Sequence, residues 1–176
     1  MPHAVDLTRA AAVYHGPLRR IIHAYKYEGR RSLARPLGDL LQAAGGDLLR
    51  DASCVVPVPL HPLRRVSRGF NQARELALTL PLPTVTALWR VRATQPQEHL
   101  TAAARHHNVR GAFRVSPLLG HRVHERLIRN QVVVLVDDVR TTGATLNQCA
   151  RVLKDAGARE VRALTVALAR PHRSAG

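Results

Sequence analysis

At 176 residues the chain has the length of one domain, able to bury roughly two-thirds of the surface its unfolded form exposes. Two cysteines, Cys54 and Cys149, lie far apart with no metal spacing and read as small buried hydrophobes, so nothing implies a disulfide framework, and the longest apolar run, Val132 to Val136, is too short to span a bilayer. A formal charge of +15, nearly all from arginine since only Lys26 and Lys154 are lysines, suits bidentate contact with phosphate, while 3% aromatics argue against a ladder of stacked bases.

In chain order, residues 1–16 hold no apolar stretch of signal-peptide length, so a soluble, cytoplasmic protein with no membrane insertion is expected. Leu18, Ile21, Ile22 and Tyr25 fall at helical spacing, and Glu28-Gly29 separates this helix from a second. Ser32 fits as N-cap of the second helix, and Gly45-Gly46 as its stop. The run Cys54 to Pro59 reads as a short buried strand ended by its prolines. "FNQARELALTL" reads as a helix, Val85 to Val91 as a strand, and Thr94 to Asn108 as a polar excursion. Val132 to Val136 is the clearest strand. It is followed by an amphipathic helix with Leu146, Cys149 and Leu153 inward and Gly157 as its cap, and then by a buried strand in "EVRALTVALA". His106-His107 and His121/His124 have no carboxylate or cysteine to complete a metal set and read as solvent-facing. Continuous apolar strands alternating with helices imply an α/β fold with a mostly parallel central sheet flanked by helices. The organisation expected is a single domain, with residues 1–50 as an N-terminal helical hood and 51–176 as the core.

The chemistry concentrates where the clearest strand ends. "VVVLVDDVRTTGAT" drives apolar residues into two adjacent aspartates, Asp137 and Asp138, an arrangement that needs a cation or a hydroxyl-rich partner nearby. The loop Val139, Arg140, Thr141, Thr142, Gly143 then opens a helix at Ala144 or Thr145. Backbone amides at a helix start, beside threonine hydroxyls, form an anion site, and Gly143 permits a close turn. Carboxylates that accept from vicinal hydroxyls, next to a phosphate cradle, suit a sugar phosphate.

This motif resembles the phosphoribosyl-pyrophosphate (PRPP) signature of type I phosphoribosyltransferases. The wider chain resembles the ComF-type, competence-associated branch of that family. "PVPLHPLRRVSRGFNQARELA" carries His61, Arg64, Arg68 and Gly69 to Gln72; "RATQPQEHLTAAARHHNVRGAF" carries Arg92, Thr94, Gln97, Leu100, Arg105, Asn108 and Phe113; and Lys26, Tyr27 and Gly29 match the N-terminal helices. The resemblance implies PRPP binding by Asp137 to Thr145, with Asp137 and Asp138 as catalytic residues holding the ribose. It further implies pyrophosphate binding by Leu60, His61, Arg64 and Arg68, a mobile loop over Thr94 to Asn108, and Mg2+ carried by PRPP rather than by the protein. ComF-type proteins commonly carry a four-cysteine zinc ribbon, and no cysteine precedes Cys54, so no zinc is expected.

The 6-oxopurine enzymes have an aspartate where this chain has Thr141, which weakens a purine-salvage reading. Three functions stay open. One is phosphoribosyl transfer to an unidentified acceptor in DNA uptake during natural transformation; the second is non-catalytic PRPP sensing by a protein that binds single-stranded DNA; the third is nucleobase salvage. Other DNA-uptake proteins are candidate partners, and a homodimer is common for this fold.

Overall fold

The structure is a computed structural model that describes residues 3–60, 69–92 and 111–169. Its elements in chain order are β1 (Leu7–Val13), α1 (Gly16–Tyr27), a 3-10 turn (Arg31–Leu33), α2 (Ala34–Arg50), β2 (Cys54–Pro57) and α3 (Gln72–Ala77). There follow β3 (Leu88–Arg90), β4 (Phe113–Val115), α4 (His121–Leu127), β5 (Val132–Arg140), α5 (Ala144–Asp155) and β6 (Glu160–Leu168). Four strands form a parallel sheet in the order β1-β6-β5-β2, while β3 and β4 pair antiparallel in a small second sheet.

Because helices cover both faces of the sheet and side chains alternate between them, Val132 to Val136 of β5 are apolar at every position. Val132, Val134 and Val136 of β5 pack with Ile22 and Tyr25 of α1, Leu37 and Leu41 of α2 and Leu76 of α3. Val133 and Leu135 face the other way, onto Leu146, Cys149 and Leu153 of α5 and Phe113 of β4. Each such side chain taken fully out of water contributes about 1.5–3 kcal/mol before entropy is charged. Helix α5 ends as expected on Gly157, at φ 95°, where Gly157 donates to Lys154 and Ala158 to Leu153.

Five expectations are corrected. Ser32 does not cap α2, because residues 31–33 wind into the 3-10 turn and the N-cap position falls on Leu33. Gly45-Gly46 does not stop that helix. A Cβ at Gly45 would lie 2.8 Å from Leu164 Cδ2, so this glycine lets α2 press onto β6. The strand read at Val132 to Val136 continues to Arg140, because β6 supplies partners as far as Leu168. The strand read at Val85 to Val91 is confined to Leu88–Arg90, with Val85 bonded to the β2 edge instead. Ile21, placed on the apolar stripe of α1, is 39% exposed.

One element went unread. Residues 7–13, "LTRAAAV", form an edge strand parallel to β6, so the first fifty residues contribute a strand as well as helices. Nearer the amino end of β6, the buried Arg162 donates to Glu160, to both carboxylate oxygens of Asp51 and to the carbonyls of Asp47 and Leu48.

Candidate functional site

Strand order decides where a ligand can enter. From β2 the chain moves outward, to a parallel bridge between Val55 and Thr84, whereas from β5 it moves through α5 to β6 on the other side. Between the carboxyl ends of β2 and β5 the connections therefore diverge and leave a crevice. A cavity opens there, walled by Val58, Pro59 and Leu60 after β2 and by residues 137–141 and 143–146 after β5. Tyr14, Lys26, Asn71 to Ala73, Arg90 and Ala169 complete its lining.

The alternation that packs the core also separates the two aspartates. Asp138 follows the even-numbered valines toward α1, where Lys26 Nζ lies 2.9 Å from its Oδ1. This lysine is the cation that the acidic pair requires. Burial works against its charge, but the Asp138 carboxylate beside it, with Asp137 adding, holds its pKa above the ordinary lysine value. Asp137 follows the odd-numbered residues toward α5. Burial, then the adjacent Asp138 charge, push its pKa up to about 7, against the opposing pull of Lys26, the Asp138 N–H and Arg90. That N–H donates to Asp137 Oδ1 at 2.9 Å. Beneath them, burial and the Asp137 charge raise the Cys149 thiol well above its usual range, leaving it an inert apolar filler.

The loop itself is short. Gly143 takes φ 76°, a left-handed conformation that favours glycine, and serves as N-cap of α5, its carbonyl accepting from Asn147 N–H. Ala144 N–H reaches Thr142 Oγ1 at 3.4 Å, so this hydroxyl turns back on the helix start while Thr141 and Thr145 line the cavity. The structure thus brings Asp137, Asp138, Val139, Arg140, Thr141, Gly143, Ala144 and Thr145 to one cavity with Leu60, leaving Thr142 behind that wall. His61, Arg64 and Arg68, and the stretch Thr94 to Asn108, lie outside the described residues.

Sequence reasoning assigned no role to three further residues of this wall. Lys26 could have been found by asking which cation answers the acidic pair. Arg90, buried on β3 with its guanidinium 5.4 Å from the Phe113 ring centre, reads in the sequence as one more strand residue. Gln72 is 2% exposed, and its Nε2 has no hydrogen-bond partner among the described residues. An unmet buried donor costs about 1–3 kcal/mol, and nothing in "GFNQ" announces it. His124, by contrast, is tied to structure, with Nε2 2.7 Å from the Ala156 carbonyl oxygen.

A parallel sheet with an acidic pair and a threonine–glycine loop at its switch point is the architecture of a type I phosphoribosyltransferase. The chain belongs to the phosphoribosyl transferase domain family, whose model matches residues 64–175, and within it to the ComF-type branch. It is 32% identical to competence protein F of Haemophilus influenzae over 158 residues, covering 84% of this chain and 66% of that protein. It is 34% identical over 161 residues to the DNA utilization protein YhgH of Salmonella typhimurium, with coverages of 84% and 66%. Competence protein ComFC of Streptococcus pneumoniae is 25% identical over 162 residues, 90% of this chain and 66% of that protein. The chain thus spans about two-thirds of the length of these relatives. Among solved structures, the orotate phosphoribosyltransferase of Aeropyrum pernix superposes with a TM-score of 0.45 at 23% identity, covering 81% of this chain and 75% of that one. Among the described residues no helix is long and apolar enough to cross a membrane.

Proposed function

We propose that this cavity binds PRPP and that the chain transfers its phosphoribosyl group within a DNA-uptake or DNA-utilization process. The observation that carries the reading is the pairing, in one cavity, of two carboxylates with a glycine-turned helix start that offers threonine hydroxyls. Ribose hydroxyls donate to Asp137 and Asp138, and the 5′-phosphate accepts from the backbone amides at the start of α5 and from the hydroxyls of Thr141 and Thr145. Leu60, at the end of β2, faces the pyrophosphate, toward which His61, Arg64 and Arg68 are the candidate contacts. The names of the competence and DNA utilization relatives support the biological setting.

Transfer at the anomeric carbon builds positive charge on the sugar, so fixed carboxylates beside it stabilise the transition state electrostatically. Lys26 holds Asp138 in place from the N-terminal helices. Among the described residues the groups here that could hold a metal are the oxygens of Asp137, Asp138 and the threonines. They would suit a hard cation such as Mg2+ carried by PRPP, and such a cation would supply charge neutralisation to the leaving group.

The test is calorimetry with PRPP and magnesium, on the native chain and on Asp137→Asn/Asp138→Asn. Saturable heat that the double substitution weakens at least about 100-fold, the cost of roughly two charge-assisted hydrogen bonds, supports the reading. No heat from the native chain refutes it. Pyrophosphate release with nucleobases or oligonucleotides as acceptors then separates a transferase from a PRPP-responsive binding protein.

A further inference from the structure

A second cavity, of about 440 Å³, lies against the first, and Pro59, Leu60, Asn71 and Arg90 line both. Its chemistry differs. Arg31, Phe70, Arg74, Glu75 and Trp89 dominate its wall. Trp89 is the only tryptophan of the chain, and it stands 41% exposed in a protein with 3% aromatics. The pleat of β3 explains how: Leu88 and Arg90 turn inward, so Trp89 must turn out. Arg31 is held over the Phe70 ring at 5.3 Å and donates to Glu75 at 2.8 Å, which occupies the only carboxylate that the described residues place in this wall. Arg74 is exposed beside it.

An outward indole in the same cavity wall as an ordered and an exposed arginine offers a face for a flat ring and cations for the anions attached to it. Single-stranded nucleic acid offers both, a base face and flanking phosphates, whereas in a duplex the base faces are already stacked on each other. The net charge of +15 favours the same polyanion. We propose that a single strand crosses this cavity with one base on Trp89 and its neighbouring phosphates on Arg31 and Arg74, alongside the ribose cavity. The proposal rests on the DNA-handling part of the reading above and gives that partner a place.

Because Trp89 is the only indole, its fluorescence reports the site directly. Titration with a mixed-sequence single-stranded 12-mer is expected to quench it in step with the anisotropy of the same oligonucleotide carrying fluorescein, while a duplex of that length leaves it unquenched. By anisotropy, Trp89→Ala is expected to weaken binding about 5- to 150-fold, the range for one stacked base, and Trp89→Phe far less. Arg31→Ala/Arg74→Ala should lower the slope of log affinity against log salt by about 1.4, two phosphate contacts at roughly 0.7 each. Binding without quenching, Trp89→Ala with native affinity, or no binding overturns the proposal. So does equal quenching by an oligoglutamate peptide, which would point to an acidic protein partner. Calorimetry with PRPP separates this proposal from the one it rests on: a native chain that quenches but gives no PRPP heat refutes the ribose site alone.

Discussion

Two buried charge clusters sit at different heights of the same sheet, and they are finished to different degrees. Around Arg162 every demand is met: two acids and two backbone carbonyls surround one guanidinium, and its hydrogen bond to Asp51 holds that carboxyl below its usual range. At the carboxyl end of β5 two carboxylates share one lysine, Asp137 is pushed up to about 7, and Gln72 keeps a donor unmet. The first cluster fixes α2 against β6. The second leaves Gln72 Nε2 without a partner among the described residues and holds two carboxylates against one lysine, and that shortfall singles it out more sharply than its acidity alone.

This contrast can be broken or sharpened by substitution. The largest effect expected is from Lys26→Met, which strands Asp138 in a buried position and should cost about 3–5 kcal/mol in urea unfolding at pH 8. The loss should shrink at pH 5, where Asp137 takes up a proton, and adding Asp138→Asn should restore much of it. A double substitution no better than the single one would mean that Lys26 acts by packing and not as a counter-charge. Arg162→Ala leaves the Asp47 and Leu48 carbonyls without their donor and should cost about 2–4 kcal/mol, without altering PRPP heat. A harmless Arg162→Ala would erase the distinction between the clusters.

The smallest effect has the opposite sign. The pKa of Asp137 is raised on folding, so between its ordinary value of 3.8 and about 7 the folded chain holds more protons than the unfolded chain. Stability contributed by this group is therefore full below that window and falls as pH rises through it. Asp137→Asn should flatten this slope and stabilise the chain at pH 8, while abolishing PRPP heat. A variant that loses both stability and heat would show Asp137 to be structural. Thermal melts across pH 4 to 8 read the outcome.

The parts of the molecule that were legible share a physical cause. Burial on both faces makes Val132 to Val136 of β5 a continuous apolar run and leaves β6 mostly apolar, and the demands of a close turn put Gly143 and Gly157 at the two ends of α5. What stayed hidden depended on distant partners. In "LTRAAAV" alanine has low strand preference and the edge leaves the side chains exposed, so β1 exists because β6 offers it a ladder. Gly45 reads as a stop until Leu164 is placed against it. Asp137 and Asp138 were plain in the sequence, whereas Lys26, more than a hundred residues earlier, meets them only through the packing of α1.

The position of β6 has a consequence for how the chain is made. Strand β1 pairs with β6 and with no other strand of the sheet, and β6 is the last element described. During synthesis, at about 5–20 residues per second, roughly ten to thirty seconds separate the appearance of β1 from that of its partner. Through that interval the first strand has no ladder to join, and it enters the sheet only after the acidic pair of β5 is already in the chain.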